Sequence, residues 1–281
     1  MTRLLHMSDP HFGTVQRPVA DALRRLAKAQ QPSVLVLSGD ITQRAQASEF
    51  AEARAFCDQL GVPAFLAVPG NHDIPLFNLF DRALTPYRLY LQHFGPALDG
   101  MVSTPDFLVI GVNTTRWWQH KNGIVSAAQI DQVAGLLHQA SPAQARQLRV
   151  VVVHQPIHVL RAEDEHDRLK NWASAVRAWA VAGADVVLGG HIHLPYVCQL
   201  TASTPGLASV PRALWCVQAG TSLSSRVRRE APNSVNLLCI DRLSATLTCR
   251  VERWDFVSPT PGGEGEFERV LVTDLSLDLS A

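Results

Sequence analysis

Short apolar runs alternate with segments of helical periodicity along the first two thirds of the chain. The runs are rich in Val and Leu and mostly free of charge, which is typical of strands buried on both faces of a sheet. We predict strands over residues 4–7, 34–37, 65–68, 107–112, 150–153 and 186–188.

Between these runs, apolar residues recur at intervals of three and four, the spacing of one face of a helix. Val19, Leu23 and Leu26 have this spacing, as do two later groups within residues 130–137 and 172–179. Ser126 and Gln129 form a plausible capping box before the first of these later groups. The alternation of strands with covering helices predicts an α/β fold.

After about residue 195 the apolar runs follow one another closely, with no helical segment between them. Residues 213–217, 235–240 and 246–251 are predicted strands, and we expect them to form a second, largely antiparallel sheet. Two sheets packed face to face, with helices outside, would bury the apolar surfaces of both halves in one domain over residues 1–281.

Two segments interrupt this pattern, and each follows a predicted strand. Residues 74–105 are rich in aromatic residues and are predicted to form a helical insertion, whose exposed aromatic side chains are compatible with a homodimer contact. Residues 158–170 are dense in charge, which indicates a solvated loop, with a substrate lid as the alternative.

Composition narrows the class of protein. Of 281 residues, 47% are hydrophobic and 18% are charged, as expected for a globular chain with a sizeable core. Lysine plus arginine and aspartate plus glutamate each number 25, so no overall field favours nucleic acid or an anionic membrane. The polar start argues against a signal peptide, and a cytoplasmic protein is predicted. Five cysteines without a Cys-x-x-Cys pair indicate buried thiols.

The candidate chemistry lies where the predicted strands end, because ligands of open α/β sheets bind at the carboxyl ends of the strands. Five strands run directly into polar segments: Ser8-Asp9-Pro10-His11, Ser38-Gly39-Asp40, Pro69-Gly70-Asn71-His72-Asp73, His154 and Gly189-Gly190-His191-Ile192-His193. Each segment alone is typical of a turn. Together, at one edge of a sheet, they indicate a common site.

The residue types in these segments suit a pair of divalent ions. Histidine, aspartate and asparagine without cysteine favour manganese, iron, zinc or cobalt over copper(I) or an iron–sulfur cluster. Two ions that share a bridging carboxylate and a bridging water would use all the candidate ligands, which are Asp9, His11, Asp40, Asn71, His154, His191 and His193. Two ions about 4 Å apart can clamp a phosphoryl group, so phosphoester hydrolysis is predicted.

In this order, the segments resemble the motif set of the calcineurin-like metallophosphoesterase superfamily. The motifs are Asp-x-His, Gly-Asp, Gly-Asn-His-Asp, a single His and Gly-His-x-His, over residues 9–193. The Ser-Asp-x-His start and the Gly-Asn-His-Asp form most resemble bacterial class III cyclic-nucleotide phosphodiesterases and their glycerophosphodiesterase relatives. The resemblance implies a four-layer αββα sandwich.

The resemblance also implies a role for each matching residue. With Asp40 bridging two ions, the ligands would be Asp9, His11 and His193 for the first ion and Asn71, His154 and His191 for the second. The ions would be manganese or iron, with zinc or cobalt as alternatives, and the nucleophile would be a metal-bridging hydroxide. His72 would stabilise the transition state or protonate the leaving oxygen, and Asp73 would orient His72.

Arg44 has the offset from Asp40 of a phosphate-holding arginine in the related protein phosphatases. Their Asp-Arg-Gly context is replaced by Gln43-Arg44-Ala45, so a substrate-binding role and a surface role both stay open.

The predicted function is hydrolysis of a small phosphodiester, such as the cyclic nucleotide cAMP. The same site would serve a phosphomonoesterase, a glycerophosphodiesterase, a nuclease or a nucleotide- or lipid-pyrophosphate hydrolase, although the balanced charge does not favour the nuclease. A non-catalytic scaffold is a further alternative. Every ligand position is filled, which argues against it. We expect a small phosphoester as partner, and neither nucleic acid nor membrane.

Overall fold

The computed structural model describes residues 1–76, 78–119, 121–139, 147–207, 210, 212–228, 231–241 and 247–277. Over these residues the strands are β1 (Thr2–Met7), β2 (Val34–Ser38), β3 (Ala64–Val68), β4 (Gly100–Ser103), β5 (Phe107–Gly111), β6 (Leu148–Val152), β7 (Val186–Gly189), β8 (Tyr196–Leu200), β9 (Leu214–Gln218), β10 (Ser234–Asp241), β11 (Thr248–Val257) and β12 (Glu266–Leu275). The helices are α1 (Arg17–Gln30), α2 (Ala47–Gln59), α3 (Leu79–Leu84), α4 (Arg88–Phe94), α5 (Ala127–Gln139) and α6 (Trp172–Val181). Phe77 of the predicted insertion and Thr246 of a predicted strand lie outside the described residues.

The first sheet joins strands from both ends of the chain in the order β12-β11-β10-β1-β2-β3. β1, β2 and β3 are parallel, with Leu4 opposite Val34 and Val34 opposite Ala64. β10, β11 and β12 extend this sheet by antiparallel pairing. The carboxyl ends of β1, β2 and β3 therefore lie at one edge.

The second sheet has the order β4-β5-β6-β7-β9-β8. Its four central strands are parallel, and the edge strands β4 and β8 are antiparallel to their neighbours. The expectation of a separate sheet formed by the strands after residue 195 is wrong, because β8 and β9 join the second sheet while β10 to β12 extend the first. Apolar runs look alike in either position, since pairing depends on distant segments.

The central strands of each sheet are buried on both faces, which explains why these strands are continuous apolar runs in the sequence. In β1, Leu4 faces the other sheet, whereas Leu5 and Met7 face helices. One buried cluster contains residues of both sheets; α1, α2 and α4 cover the outside of the first sheet, and α5 and α6 cover the second. The predicted four-layer αββα sandwich is confirmed.

The helices form where the apolar spacing indicated them. α1 buries Val19, Leu23 and Leu26. The capping box of α5 is confirmed, because Ser126 Oγ accepts from the amide of Gln129 at 3.2 Å and the Gln129 side chain accepts from the amide of Ser126 at 3.1 Å. Residues 74–105 contain strand β4 besides α3 and α4. Within the described ranges, no helix combines the length and apolar character needed to cross a membrane.

Candidate metal centre

The predicted ligands meet at the edge where the parallel strands of both sheets end. They are Asp9 and His11 after β1, Asp40 after β2, Asn71 after β3, His154 after β6, and His191 and His193 after β7. All are buried or half-buried. The two sheets are in direct contact here, because Nδ1 of His154 donates to the carbonyl of Ser38 at 2.8 Å.

One ligand group consists of Asp9, His11 and His193. Nε2 of His193 lies 3.3 Å from Oδ1 of Asp9 and 3.2 Å from Nε2 of His11. Nε2 of His11 lies 4.0 Å from the same carboxylate oxygen. Two imidazole nitrogens and a carboxylate oxygen thus converge closely enough to share one divalent ion.

The second ligand group consists of Asp40, Asn71, His154 and His191. Nε2 of His154 lies 3.2 Å from Oδ1 of Asp40 and 3.3 Å from Oδ1 of Asn71. Ligand atoms of Asp40, His154 and His191 lie within 4.8 Å of one another. The other oxygen of Asp40, Oδ2, lies 3.8 Å from Nε2 of His11 in the first group. Asp40 therefore presents one oxygen to each group.

Backbone carbonyl oxygens set the protonation of two of these rings. Nδ1 of His154 lies 2.8 Å from the carbonyl oxygen of Ser38, and Nδ1 of His193 lies 2.6 Å from that of Arg226. A carbonyl oxygen only accepts, so Nδ1 carries the proton in both rings. Nε2 is then the ring atom that faces the ligand groups and that a metal would bind.

Two buried ligand atoms, Oδ1 of Asp9 and Nδ1 of His191, have no hydrogen-bond partner among the described residues. The opposite atoms of these side chains are engaged: Oδ2 of Asp9 accepts from Ser8 Oγ and the amide of His191, and Nε2 of His191 lies 3.4 Å from Oδ1 of Asp167. An unpaired buried polar atom is costly. A divalent cation would satisfy both atoms, so the residues present fit metal ions.

The charge states of His11 and Asp40 also suit cations. Burial lowers the pKa of His11 to about 3 although Asp40 and Asp9 oppose the shift, so the ring is neutral, the form that binds metal. Burial opposes ionisation of Asp40, but the neighbouring histidines, His154 foremost, hold its pKa well below the ordinary value. Asp40 is therefore a carboxylate.

Backbone strain is concentrated at the ligand positions. Left-handed φ values occur at Asp9 (50°), His11 (42°), Asp40 (47°), His191 (74°) and His193 (53°). Each such residue costs on the order of 1–3 kcal/mol and persists only where its surroundings hold it, which is typical of functional sites. Gly70 serves the same edge, because a Cβ there would lie 2.0 Å from the amide nitrogen of Asp40.

A cavity of about 500 Å³ opens over the two ligand groups. Four ligands line it together with residues of the surrounding loops; the lining includes Asp40, Asn71, His191 and His193, and around them His72, Lys121, Asp164, Asp167, Arg226 and Arg228. The volume lies within the ordinary range for small-molecule sites.

The family model for calcineurin-like phosphoesterases matches residues 2–195. The chain belongs to this family. The family is one of dinuclear metallophosphoesterases, and this membership supports the prediction of phosphoester hydrolysis. Over 63 residues the chain is 36% identical to a probable cyclic nucleotide phosphodiesterase of Synechococcus sp.; the match covers 22% of this chain and 24% of that protein.

Two solved structures share the fold of this chain. A dimetal phosphatase from Danio rerio superposes with a TM-score of 0.63 at 14% identity, covering 99% of both chains. A purple acid phosphatase from yellow lupin (Lupinus luteus) seeds superposes with a TM-score of 0.67 at 11% identity, covering 99% of this chain and 54% of that one. At these identities the likeness is one of fold.

The two residues predicted as catalytic have different surroundings in the structure. His72 lines the cavity, and its Nδ1 donates to the carbonyl of Gln43 at 2.9 Å. The buried carboxylate of Asp73 instead accepts from the amides of Gly70 and Thr42, each at 2.8 Å. Gln43 thus holds the ring of His72, and Asp73 ties the loop after β3 to the loop after β2. These contacts do not include one between Asp73 and the ring of His72, and the orienting role of Asp73 stays a prediction.

Arg44 lies outside the lining of the cavity over the ligand groups. Its side chain is exposed and does not belong to the described lining residues, and its amide donates to Oε2 of Glu49, in the first turn of α2, at 2.8 Å. The geometry gives no support to the substrate contact that its offset from Asp40 suggested.

Sequence reasoning missed the cationic side of the cavity. Arg226 and Arg228 lie in the loop after β9, a strand that the sequence assigned to a separate sheet. Because β9 runs parallel to β7, its carboxyl end lies at the same edge of the sheet. The expectation that ligands bind at the carboxyl ends of strands, which identified the histidines, therefore applies to this loop as well. Part of the charge-dense segment forms a wall of the site, because Asp164 pairs with Arg228 at 3.0 Å and Asp167 faces His191. Several other residues of this segment, such as Glu163 and Glu165, are exposed to solvent as predicted.

Proposed function

We propose that the protein hydrolyses a small phosphodiester, with a cyclic nucleotide such as cAMP as the leading candidate. The relative described as a probable cyclic nucleotide phosphodiesterase supports the diester class. The cavity of about 500 Å³ suits a substrate the size of a mononucleotide. Phosphomonoesters, glycerophosphodiesters and pyrophosphates are the competing substrates for the same site.

The observation that carries this proposal is the position of Asp40. Its Oδ1 lies 3.2 Å from Nε2 of His154, and its Oδ2 lies 3.8 Å from Nε2 of His11. A carboxylate in this position can be shared by two divalent ions, an arrangement suited to phosphoryl transfer. The proposed ligands, besides the shared Asp40, are Asp9, His11 and His193 for one ion and Asn71, His154 and His191 for the other.

Two divalent ions, for which we propose manganese or iron, supply Lewis acidity to the phosphoryl group when bound. Around them, the carbonyls of Ser38 and Arg226 hold the rings of His154 and His193 in the metal-binding tautomer. The carbonyl of Gln43 holds a proton on Nδ1 of His72. Nε2 is therefore the atom at which His72 would take up a proton and pass it to the leaving oxygen.

A hydrolysis panel tests the proposal. Protein stripped by a chelator is reconstituted with manganese, iron, zinc or cobalt and assayed on bis-p-nitrophenyl phosphate, 3′,5′-cAMP, glycerophosphodiesters, p-nitrophenyl phosphate and nucleotide pyrophosphates. We expect diester turnover, including cAMP to AMP, only after reconstitution. Faster turnover of monoesters would identify a phosphomonoesterase, and no turnover with any metal would reject the proposal.

A further inference from the structure

The side chain of Arg226 lies beside both His72 and the first ligand group. Nη1 is 3.1 Å from Nε2 of His72, 3.1 Å from Oε1 of Gln43 and 3.4 Å from Nδ1 of His11. The side chain is exposed and lines the cavity. Neither the ligand set nor the motifs that carry the family resemblance include this cation.

Arg226 has hydrogen-bonding capacity to spare. A guanidinium group carries five N–H donors in a planar fork that matches two oxygens of a phosphoryl group. Within the described ranges, Nε and Nη2 of Arg226 donate no hydrogen bond to the protein. Two donor groups can therefore reach a ligand while Nη1 keeps its contact with Gln43.

Besides Lys121, the other charged residues of the cavity wall contact one another or a ligand histidine. Arg228 donates from Nη1 to the two carboxylate oxygens of Asp164 at 3.0 and 3.1 Å, and from Nη2 to Oε1 of Glu163 at 2.7 Å. The carboxylate of Asp167 faces Nε2 of His191. These carboxylates are thus directed at partners other than Arg226, whose contacts in the cavity are the rings of His72 and His11 and the amide oxygen of Gln43.

We propose that Arg226 binds an anionic oxygen of the substrate's phosphoryl group, the role that the sequence offered to Arg44. The inference rests on the proposed function. An anionic oxygen is a stronger acceptor than an imidazole nitrogen, so an entering phosphoryl group draws the guanidinium away from His72. The same movement frees Nε2 of His72 for the leaving oxygen.

The test uses inorganic phosphate as the probe on metal-reconstituted protein, by equilibrium dialysis, in Arg226→Gln and Arg226→Lys. Metal content is measured on the same samples, and KM for bis-p-nitrophenyl phosphate follows. We expect Arg226→Gln to keep the wild-type metal content but to bind phosphate about tenfold to a hundredfold more weakly, as for other hydrogen bonds to charged groups. Arg226→Lys should fall between the two, because lysine keeps the charge but lacks the fork.

Arg25→Gln is the matched control, because it removes the same charge from an exposed position on α1. An equal loss in this control would reveal a general charge effect and overturn the assignment. Phosphate binding within twofold of wild type in Arg226→Gln, or loss of metal there, would also overturn it. A loss in Arg44→Gln but not in Arg226→Gln would return the role to Arg44.

Phosphate binding is measured without turnover, so the two proposals fail separately. If wild-type protein binds phosphate through Arg226 but cleaves no phosphoester, the proposed function is rejected and the Arg226 assignment stands. If wild-type protein with full metal content binds no phosphate, the assignment is rejected whatever the panel shows.

Discussion

The two ligand groups of the metal centre share Asp40 but are built differently. In the first group, Asp9, His11 and His193 all have left-handed backbone conformations, with φ of 50°, 42° and 53°. In the second group, apart from the shared Asp40, only His191 does, and the ring of His154 is held by the carbonyl of Ser38, the last residue of β2. The first group is thus carried by strained loops, whereas the second rests more directly on strand ends.

This difference shows what each group depends on. Strained positions persist only while the surrounding structure holds them, whereas groups supported by regular elements are pre-organised. The ring of His193 relies further on the carbonyl of Arg226, in the loop after β9. We therefore expect the two groups to respond differently to changes nearby, and to respond together only at the residue they share.

The largest effect is expected from Asp40→Ala, which removes the shared residue. Because its two oxygens face different ligand groups, the loss should lower the affinity for both ions and reduce diester turnover to background. Elemental analysis after dialysis, together with the hydrolysis assay, measures both. Retention of one ion at wild-type affinity would mean that Asp40 belongs to one group alone.

His72→Ala should separate cleavage from metal binding. His72 lies between the groups, and its ligand atom lies within 4.8 Å of those of His11 and Asp40, so a ligand role is a real competitor. If His72 is a proton donor outside the ligand set, its replacement should leave the metal content unchanged and reduce turnover by roughly 10²–10⁴-fold. Loss of an ion in this variant would make His72 a ligand.

The same comparison explains how much of the site could be predicted from sequence. Five buried strands place their ligands within a few residues of the last strand position, so a local rule was enough to bring Asp9, Asp40 and His154 to one edge. The strand assignments succeeded because strands buried on both faces are apolar along their whole length.

What could not be predicted depends on contacts between distant segments. The loop that carries Arg226 could not be placed at the site, because an apolar run does not reveal which sheet it joins and the pairing of β9 with β7 was not predicted. Asp73 contacts the backbone of Thr42 rather than its neighbour His72. The offset of Arg44 from Asp40 matches that of the phosphate-holding arginine in the related protein phosphatases. In the structure, however, the amide of Arg44 donates to Glu49 in α2, and its side chain is exposed.

Asp167→Ala should have the smallest effect and the most selective one. Oδ1 of Asp167 lies 3.4 Å from Nε2 of His191, so it supports one ring of the second group only. Loss of such an outer partner typically weakens metal affinity by about 10–100-fold. We expect one ion to be lost at lower chelator concentration than in wild type, with turnover restored by excess metal.

The matched control is Glu165→Ala. Glu165 lies in the same 3-10 helix as Asp167, Ala162–Asp167, and its exposed carboxylate pairs with Arg168 rather than with a ligand residue. It should leave both metal affinities unchanged. No corresponding side-chain variant exists for His193, because its ring is held by a backbone carbonyl. If Asp167→Ala weakened the binding of both ions equally, the two groups would behave as one unit. The difference between ligands on strained loops and ligands close to strand ends would then have no effect on metal binding.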